Sequence, residues 1–382
     1  MHNPVKKFVK AFFYNNSFLL KKNRILLESS PDFADNTKYV YDELLRRKMN
    51  YKYRIYWLTS GARSFPKARN VCFVRRGSIR GKMLRLTCKY IIDSNIYIKK
   101  MRSSQFRIFL GHGSPLKMAQ SYLRESGEID CTTVSSAFFV EPTLFLHGSP
   151  LEKQNVAVTG LARCDGLLND VHPATPYSRF ERIILWMPTY RNHKSGAQSS
   201  TTNIRFPYGV PIINNENELS ALNNKLSSSN SALIIWRHPA EDTSSIKPID
   251  MSNILIFDQN TFSEKNIQLY DFLKDTDALI TDYSSIYYDY LLLKKPIGLA
   301  IPDLDEYSST YSFVNKNYKD VVKGKYITTF KELSAFIDDV VSGKNLFTRE
   351  MGEALRRYQT YTDGKSSARI VDILVSEMEK TK

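Results

Sequence analysis

Six histidines occur in the 382-residue chain, and one of them stands between two glycines. The segment FLGHGSPLK places His112 at the end of an apolar run, with Gly111 and Gly113 on either side. Glycines leave the backbone free to expose an imidazole, and an ordinary histidine pKa of about 6.5 suits a general base near neutral pH. We therefore predict that His112 is catalytic and that Ser114 and Lys117 help to bind a phosphate.

Nearly the same letters return as FLHGSPLEK, around His147. This copy leads into a predicted strand instead of following one, and it carries Glu152 where the first copy carries Lys117. A carboxylate there would repel a phosphate group. In the first copy, a helix that begins near Pro115 would place Lys117 one turn beyond the glycines. We therefore expect His147 to be non-catalytic.

Three further segments place cationic or donor groups directly after an apolar run. In open α/β sheets, ligands bind at this carboxyl edge of the strands. Arginine suits bidentate phosphate contacts, and a charged histidine is a further donor. Each segment alone could be ordinary surface, but together they would form an anion site. In LWMPTYR and IIWRHP the candidates for phosphate binding are Thr189, Arg191, Arg237 and His238.

The third segment, LITDYSSIYYDYLLLKKP, resembles a strand followed by a helix that runs to about Leu293. Asp282 or Ser284 could cap this helix, which would leave the amides of Ser284, Ser285 and the next residue free to bind an anion. Asp289 could accept hydrogen bonds from a ligand hydroxyl. The alternative is that aspartate and serine are simply good helix caps.

The elements that must position these residues alternate between short apolar runs and helical segments. This alternation predicts βαβ units and parallel sheets. Predicted strands occupy 24–29, 53–59, 70–74, 90–94, 106–111, 129–135, 155–160, 182–191, 232–239, 253–258, 277–285 and 295–301, and predicted helices 37–48, 79–89 and parts of 347–381.

The same pattern divides the chain into two α/β halves of similar size. A proline-bearing polar segment, 169–180, is the predicted linker, and 192–203 is a predicted loop beside the site. We expect an N-terminal domain over 25–172 that carries the candidate base, and a C-terminal domain over 173–382 that ends in helices. A ligand cleft is expected between the two halves.

The first 24 residues combine lysines with phenylalanines and leucines, and they form a predicted basic amphipathic segment. Its apolar runs are too short for a transmembrane helix, and no signal-peptide cleavage site follows. Such a segment can lie in a membrane interface with its lysines near the headgroups. It can equally pack as a basic helix on its own domain.

The formal net charge of the chain is +15 at pH 7. A field of this sign favours nucleic acid, an anionic lipid surface or a phosphorylated substrate as partner, although simple solubility also explains it. The many tyrosines and phenylalanines come with no signature of a nucleic-acid-binding module. We therefore expect no nucleic acid among the partners.

Several catalytic and metal-binding signatures are missing from the sequence. There is no P-loop, no GxGxxG fingerprint, no GxSxG elbow and no acidic cluster of a two-metal site. Four cysteines occur without a CxxC pair, which argues against zinc and against a disulfide scaffold and fits a reducing compartment. We predict neither a metal nor a cofactor.

Taken in order, HGSPLK, TGLARCDGLL, PTYR, WRHP and TDYSSIYYDYLLLKKPI resemble the motifs of the CDP-glycerol glycerophosphotransferase family. The opening LLESSPDFADNTKYVYDELLRRK is also similar to that family's first strand and helix. The resemblance covers about residues 25 to 325. It implies the α/β fold class GT-B, with two Rossmann-like domains that face a central cleft. It also implies a peripheral enzyme on the cytoplasmic face of the membrane, without a cofactor or an essential metal.

The resemblance also implies a reaction and roles for individual residues. An acceptor hydroxyl of a lipid-linked or glycan substrate, deprotonated by His112, would attack the β-phosphorus of CDP-glycerol or a related CDP-polyol. CMP would leave, and the product would extend a teichoic-acid-type or capsular polymer. His238 would be the second catalytic residue and bind donor phosphate, and Ser284, Ser285 and Asp289 would bind the donor.

One motif departs from the family pattern. The usual Gly-x-Pro-Arg-Asn-Asp reads GLARCD here, so that Arg163 and Asp165 remain as donor-binding candidates while the proline and asparagine are replaced. The polyol, the acceptor and the choice between single addition and polymerisation stay open. So do two other classes of function, a GT-B glycosyltransferase that uses a nucleotide sugar and a non-enzymatic, basic membrane-surface protein.

Overall fold

The structure is a computed structural model that describes most of the 382-residue chain. Within the described residues, no helix combines the length and the apolar character needed to cross a bilayer. The predicted loop 192–203 and most of the N-terminal segment 1–24 lie outside the described residues. The described residues are 14–16, 19–61, 64–94, 98–118, 128–148, 151–172, 177–191, 206–238, 241–258, 261, 267–315 and 317–380.

Two compact units make up the chain. The first comprises the described parts of Met1–Ser114, Gln120–Asp165 and Thr360–Lys382. The second comprises those of Pro115–Ala119 and Gly166–Gln359. The chain therefore enters the second unit for a few residues directly after the GHGS segment.

A seven-stranded parallel sheet forms the centre of the first unit. Its strands are β1 (Lys21–Glu28), β2 (Arg54–Thr59), β3 (Val71–Arg75), β4 (Cys88–Asp93), β5 (Phe106–Phe109), β6 (Cys131–Val134) and β7 (Val156–Val158). They are ordered β3-β2-β1-β4-β5-β6-β7, so the direction of winding reverses between β1 and β4. The carboxyl ends at such a switch point are the usual ligand position in doubly wound sheets.

A six-stranded parallel sheet forms the centre of the second unit. Its strands are β8 (Arg182–Met187), β9 (Ser231–Trp236), β10 (Ile254–Phe257), β11 (Ala278–Thr281), β12 (Ile297–Ala300) and β13 (Lys325–Ile327). They are ordered β10-β9-β8-β11-β12-β13, so the switch point lies between β8 and β11. The segments PTYR and TDYSS follow these two strands directly.

Helices connect the strands and cover the sheets. The α-helices of the described residues are α1 (Asp35–Arg46), α2 (Ile79–Thr87), α3 (Val140–His147), α4 (Asp165–Leu168), α5 (Glu216–Ser228), α6 (Leu269–Leu273), α7 (Ile286–Tyr290), α8 (Leu304–Thr310), α9 (Tyr318–Val321), α10 (Phe330–Val341), α11 (Arg349–Tyr358) and α12 (Ser366–Lys380). In the second unit, the apolar faces of α5 and α10 pack on buried side chains of β8 and β9 in one core. Consecutive side chains of β8 and β9 are buried on both faces of the sheet, which fits their near-continuous apolar runs.

The C-terminal helix α12 belongs to the first unit, whereas the sequence led us to assign all of 173–382 to the second domain. Two long-range contacts explain the difference. Asp165 accepts hydrogen bonds from the amides of Ser366 and Ser367 at 2.8 and 2.7 Å, which caps α12. Arg47, after α1, pairs with Asp372 on α12 at 2.5 Å.

Most predicted elements are present, and most strands are shorter than expected, although β1 and β4 are longer. Strand β1 begins at Lys21, inside the segment that we treated as N-terminal to the fold. The elements that the sequence analysis missed include β13, which is short and partly exposed, and the helices α3, α5, α8 and α10. Helix α10 begins with a capping box of Thr329 and Glu332, for which the sequence has the T-x-x-E pattern. The α/β fold class with two parallel sheets is confirmed.

Candidate functional site

His112 lies on the loop that leaves the carboxyl end of β5 in the first unit. Gly111 and Gly113, on either side, have φ values of 63° and 135°, in the left-handed region that favours glycine. The histidine itself is exposed. The Gly-His-Gly spacing therefore produces a loop that presents the imidazole at the edge of the sheet.

Two buried side chains hold the backbone of this loop. Asn36 Nδ2 donates to the carbonyl oxygen of Gly111 at 2.9 Å, and Arg163 Nη1 donates to the carbonyl oxygen of His112 at 2.8 Å. Arg163 Nη1 also lies 3.1 Å from Asp35 Oδ1. The guanidinium that we predicted for phosphate binding thus has acceptors within the protein, and one of them is the candidate base's own carbonyl.

The surroundings of His112 favour the neutral imidazole. Desolvation by the neighbouring protein lowers its pKa below the usual value, and Arg163 acts in the same direction. Asp35 opposes them by stabilising the charged form. A neutral imidazole at pH 7 is the form that can accept a proton.

Two other predicted binding residues of the first unit have protein partners. Ser114 Oγ is buried and lies 2.8 Å from Ser135 Oγ. Asp165 caps α12, as described above. Burial raises the pKa of Asp165, while the amides and hydroxyls of the serines that it caps lower it. Both residues thus have structural roles.

His147 ends α3 and lies in a different environment. It is 7% exposed, and its ring meets that of Phe109 edge-on, with centroids 5.3 Å apart. Burial lowers the pKa of His147 to about 4, with smaller contributions from Arg107 and His112. A buried histidine that is neutral near pH 7 and lies against an aromatic ring is a packing residue.

In the second unit, Asp282 joins two motifs that are far apart in the sequence. Its Oδ1 accepts a hydrogen bond from the Thr189 amide at 2.8 Å, and its Oδ2 lies 2.9 Å from Arg191 Nη2. Its carbonyl oxygen accepts from the Tyr318 hydroxyl at 2.7 Å. PTYR and TDYSS are therefore brought together at the switch point, as the shared strand-end position predicts.

Arg191 is satisfied by carboxylates of the protein. It is buried, and its Nε lies 3.0 Å from Asp303 Oδ2 in addition to the contact with Asp282. The rings of Tyr283 and Tyr307 lie 5.2 and 5.3 Å from the guanidinium carbon. Burial opposes its charge, but the two carboxylates together raise the pKa of Arg191 above its usual value. Arg191 is thus a fixed, neutralised centre of the site.

Near Asp282 and Arg191 in the second unit, Lys117 is a cation with a different environment. Among the described residues, no carboxylate lies within hydrogen-bond distance of its ammonium group. Its Nζ donates to the Tyr307 hydroxyl at 3.1 Å and lies 5.7 and 5.8 Å from the ring centroids of Tyr307 and Tyr311. Burial lowers the pKa of Lys117 to about 8, with Asp282 opposing and Arg191 reinforcing the shift. An ammonium group in this state gains from binding an anion.

The expected helix at Pro115 does not form, and that prediction is wrong. Residues 116–118 are extended and pair with 312–314, through a bridge between Lys117 and Phe313. The Met118 amide donates to the Ser312 carbonyl at 2.9 Å, and Val314 donates to Leu116 at 3.1 Å. Lys117 therefore reaches its position through strand pairing with a distant segment, which the local sequence does not reveal.

The TDYSS segment leads into α7 much as expected. Ser284 and Ser285 are partly exposed, and Ser285 is the N-cap residue without a side-chain capping bond. Asp282 does not cap the helix, since its carboxylate binds the preceding motif. Asp289 is buried and accepts a hydrogen bond from the Tyr270 hydroxyl at 2.5 Å. The two serines remain donors for a ligand, whereas Asp289 has a protein partner.

The WRHP segment contributes one exposed and one engaged side chain. The His238 ring is exposed and lies 4.5 Å from the ring of Tyr190, centroid to centroid. Arg237 Nη2 donates to the Tyr208 carbonyl at 2.9 Å, and its Nη1 lies 3.3 Å from Glu241 Oε2. The His238 ring therefore reaches the surface of the unit, whereas the protein itself holds the Arg237 guanidinium.

A cavity of about 180 Å³ opens beside these residues within the second unit. Arg191, Phe206, Glu241 and Asp242 are among the residues that line it. Among the described residues, no group of three or more histidine, cysteine, aspartate or glutamate side chains could hold a metal ion.

Sequence reasoning missed four residues that shape these two regions. Asp35 and Asn36 follow β1 through a loop, and Asp303 and Tyr307 follow β12. All four lie beyond the carboxyl end of a strand, the same signal that identified the other candidates. The strand-end position of these four residues was visible in the sequence. The segments ADN and IPDLDEY were not singled out because they contain no histidine or arginine.

The chain has two α/β units, each built on a parallel sheet. One sheet edge carries an exposed histidine, and the edge of the other sheet carries the cationic and hydroxyl groups of a phosphate-handling site. The chain belongs to the CDP-glycerol:poly(glycerophosphate) glycerophosphotransferase family, whose sequence model matches residues 10–376. The family predicted from the five motifs is thereby confirmed, and with it membership of a family of transferases.

Relatives of this chain include teichoic acid enzymes. It is 25% identical to the teichoic acid ribitol-phosphate polymerase TarL of Staphylococcus aureus, over 95% of this chain and 64% of TarL. It is 21% identical to the teichoic acid glycerol-phosphate transferase of the same species, over 96% of this chain and 98% of that one. The chain thus spans less than two thirds of TarL.

The wall teichoic acid polymerase TagF is similar in structure. One TagF structure superposes with a TM-score of 0.74 at 17% identity, over 99% of this chain and 96% of that chain. A TagF variant soaked with CDPG gives the same score at 18% identity and the same coverage. At this level of identity, the similarity shows the shared fold.

Proposed function

We propose that the protein transfers glycerol phosphate, or a similar polyol phosphate, from a CDP-polyol to a hydroxyl of a lipid-linked or oligosaccharide acceptor. His112 takes the proton of that hydroxyl, whose oxygen forms a bond to the β-phosphorus of the donor. The bond from this phosphorus to the bridging oxygen breaks, and CMP leaves. The product extends a teichoic-acid-like or capsular polymer.

The observation that carries this proposal is an exposed, neutral histidine on a Gly-His-Gly loop in a member of this transferase family. Negative charge grows on the phosphoryl oxygens and on the leaving CMP during such a transfer. Lys117, His238, Ser284 and Ser285 supply donors for that charge in the second unit. Fixed donors of this kind stabilise a transition state without reorganisation.

The proposal is tested by CMP release from purified protein with defined donors and an acceptor. CDP-glycerol, CDP-ribitol and UDP- or CMP-sugars are compared, with acceptor present and absent. We expect acceptor-dependent CMP release from a CDP-polyol, and its loss in His112→Ala. Turnover of a nucleotide sugar alone would support a glycosyltransferase instead, and binding without any turnover would support a non-enzymatic role.

We further propose that the protein lies on the cytoplasmic face of the membrane and contacts anionic lipid. The observation in favour is helix α2, where Ile79 is 82% and Met83 47% exposed, one turn apart. Arg80 and Lys82 are exposed on the same helix. Exposed apolar groups flanked by basic ones suit the interface of an anionic bilayer.

Vesicle sedimentation tests this surface. With phosphatidylglycerol vesicles we expect the double variant Ile79→Ser, Met83→Ser to bind several-fold more weakly than the unaltered protein. Ile256→Ser, which changes an exposed apolar residue of the second unit, serves as control and should bind normally. Equal binding of all three proteins would place the membrane contact elsewhere.

A further inference from the structure

The loop of His112 is anchored through three successive carbonyl groups. Asn36 Nδ2 donates to the carbonyl oxygens of Leu110 and Gly111, at 3.4 and 2.9 Å. Arg163 Nη1 donates to the carbonyl oxygen of His112 at 2.8 Å. Positive φ values at the flanking glycines allow these carbonyls to turn inward, so the backbone on which the imidazole depends is fixed from within the unit.

The two anchoring side chains are themselves joined. Asn36 is fully buried, and its Oδ1 accepts a hydrogen bond from the Arg163 amide at 3.0 Å. Asp35 pairs with Arg163 Nη1 at 3.1 Å. One amide side chain therefore uses both its donor and its acceptor to connect the start of α1, the loop after β5 and the turn before α4.

Asp35 adopts this position at a conformational cost. Its φ is 58°, in the left-handed region, which L-residues other than glycine seldom adopt, although aspartate does so more often than most. Strain of this kind persists where the surrounding contacts determine the geometry, and it concentrates at functional sites. Here the ion pair between Asp35 and Arg163 and the hydrogen bonds of the adjacent Asn36 determine the backbone geometry of Asp35.

We propose that Asp35, Asn36 and Arg163 are positioning residues for His112. Asn36 and Arg163 fix its backbone. Asp35 holds Arg163 and places a carboxylate near the imidazole. This inference rests on the proposed function, because it concerns His112 as the base of that reaction. It also gives Arg163 a role other than the donor binding that the resemblance implies. A base displaced by about 1 Å loses rate by roughly 100-fold, which gives such anchors a measurable effect.

The electrostatic part is tested with Asp35→Asn. Asp35 on α1 and Arg163 before α4 shift the pKa of His112, and His112 in turn shifts the pKa of His147 on α3. Since Asp35 favours the imidazolium, its removal should lower the pKa of His112, measured by NMR titration with His112→Ala to assign the signal. The acid limb of kcat/KM should shift to lower pH in parallel.

A matched control is available on the same helix. Asp42 on α1 pairs with Lys38 and contacts neither the loop nor Arg163 in the described structure, so Asp42→Asn should leave the pKa of His112 unchanged. An unchanged or raised pKa of His112 in Asp35→Asn would overturn the electrostatic role. The titration requires no turnover, so it tests the inference even if the proposed reaction fails.

The anchoring part is tested with Asn36→Asp, which keeps the acceptor for the Arg163 amide and removes both donors to the loop. We expect kcat to fall about 10- to 100-fold, with the KM for the donor changed less than about threefold. Arg163→Lys is the second variant, should Asn36→Asp fold poorly, since it keeps a cation for Asp35. Guanidinium should partly restore kcat in Arg163→Ala. Folded variants with normal kcat would overturn the inference.

Discussion

The two copies of the HGSPL phrase show how differently the same residues behave in two places of one unit. His112 follows β5, stands between glycines with positive φ and is exposed. His147 ends α3, is buried and lies against Phe109. The first imidazole is presented to a ligand, and the second fills space in the core.

The difference arises from what surrounds each copy. The first copy has a glycine before the histidine, which the second replaces with Leu146. Without that glycine, the residues before His147 continue a helix, and the side chain turns toward the sheet. The first copy also continues to Lys117, while the second continues to Glu152. Local identity of sequence therefore predicts function only together with the backbone conformation that the neighbours permit.

The largest expected effect is the loss of activity on removing one histidine and not the other. His112→Ala should lower kcat by about 10²- to 10⁴-fold, the usual contribution of a general base. His147→Ala should leave kcat within about twofold, because the buried ring contacts no substrate in this proposal. CMP release is measured for both proteins after circular dichroism has confirmed folding. Equal losses in the two variants would remove the distinction between the copies.

The next effect concerns the residue that follows each copy. Lys117→Glu should lower kcat/KM by about 10- to 100-fold, since a charge-assisted phosphate contact is replaced by repulsion. Glu152→Lys, the reverse change in the second copy, should leave it unchanged. Donor-dependent CMP release at pH 7 measures both. A similar loss in Glu152→Lys would remove the distinction between the copies, and an opposite change of similar size would show that only net charge matters.

Lys117 also predicts a pH dependence. Its pKa is about 8 instead of the usual 10.5 or so, so the free protein loses this cation as the pH rises through 8. We expect kcat/KM to fall above that pH and Lys117→Arg to move this alkaline limb upward, because arginine stays charged. Rates are measured from pH 6.5 to 9.5 at constant ionic strength. An alkaline limb that is identical in the arginine variant would assign it to another group.

The sequence predicted the sheets and the strand-end positions of the site because both are local properties. Apolar runs mark the strands, and polar residues such as His112 and Asp282 mark where they end. The partners of these residues are long-range, and the sequence did not reveal them. The sequence predicts Arg191 as a phosphate ligand, whereas the structure shows that Asp303 neutralises it. The sequence also predicts Lys117 on a helix, whereas the structure pairs it with Phe313.

A smaller effect is expected when the glycine that distinguishes the copies is replaced. A Cβ at Gly111 would meet its nearest heavy atom, Phe109 Cε1, at 4.0 Å, so space is available. The φ of 63° nevertheless costs alanine roughly 1–2 kcal/mol. Gly111→Ala should therefore fold with a slightly lower melting temperature and lose several-fold in kcat as the loop shifts. A normal kcat would show that His112 tolerates this change of backbone.

The smallest effect on activity at neutral pH is expected from His147→Gln, but this variant should change stability in acid. The pKa of His147 is about 4 in the folded protein and about 6.5 in an unfolded chain. Between these values the unfolded chain binds more protons, so the folded state loses stability as the pH falls from 6.5 to 4, by up to about 3 kcal/mol. Glutamine removes this proton uptake. The fall in melting temperature between pH 7 and pH 4 should therefore be smaller in the variant than in the unaltered protein, and an equal fall would mean that the buried ring does not resist protonation.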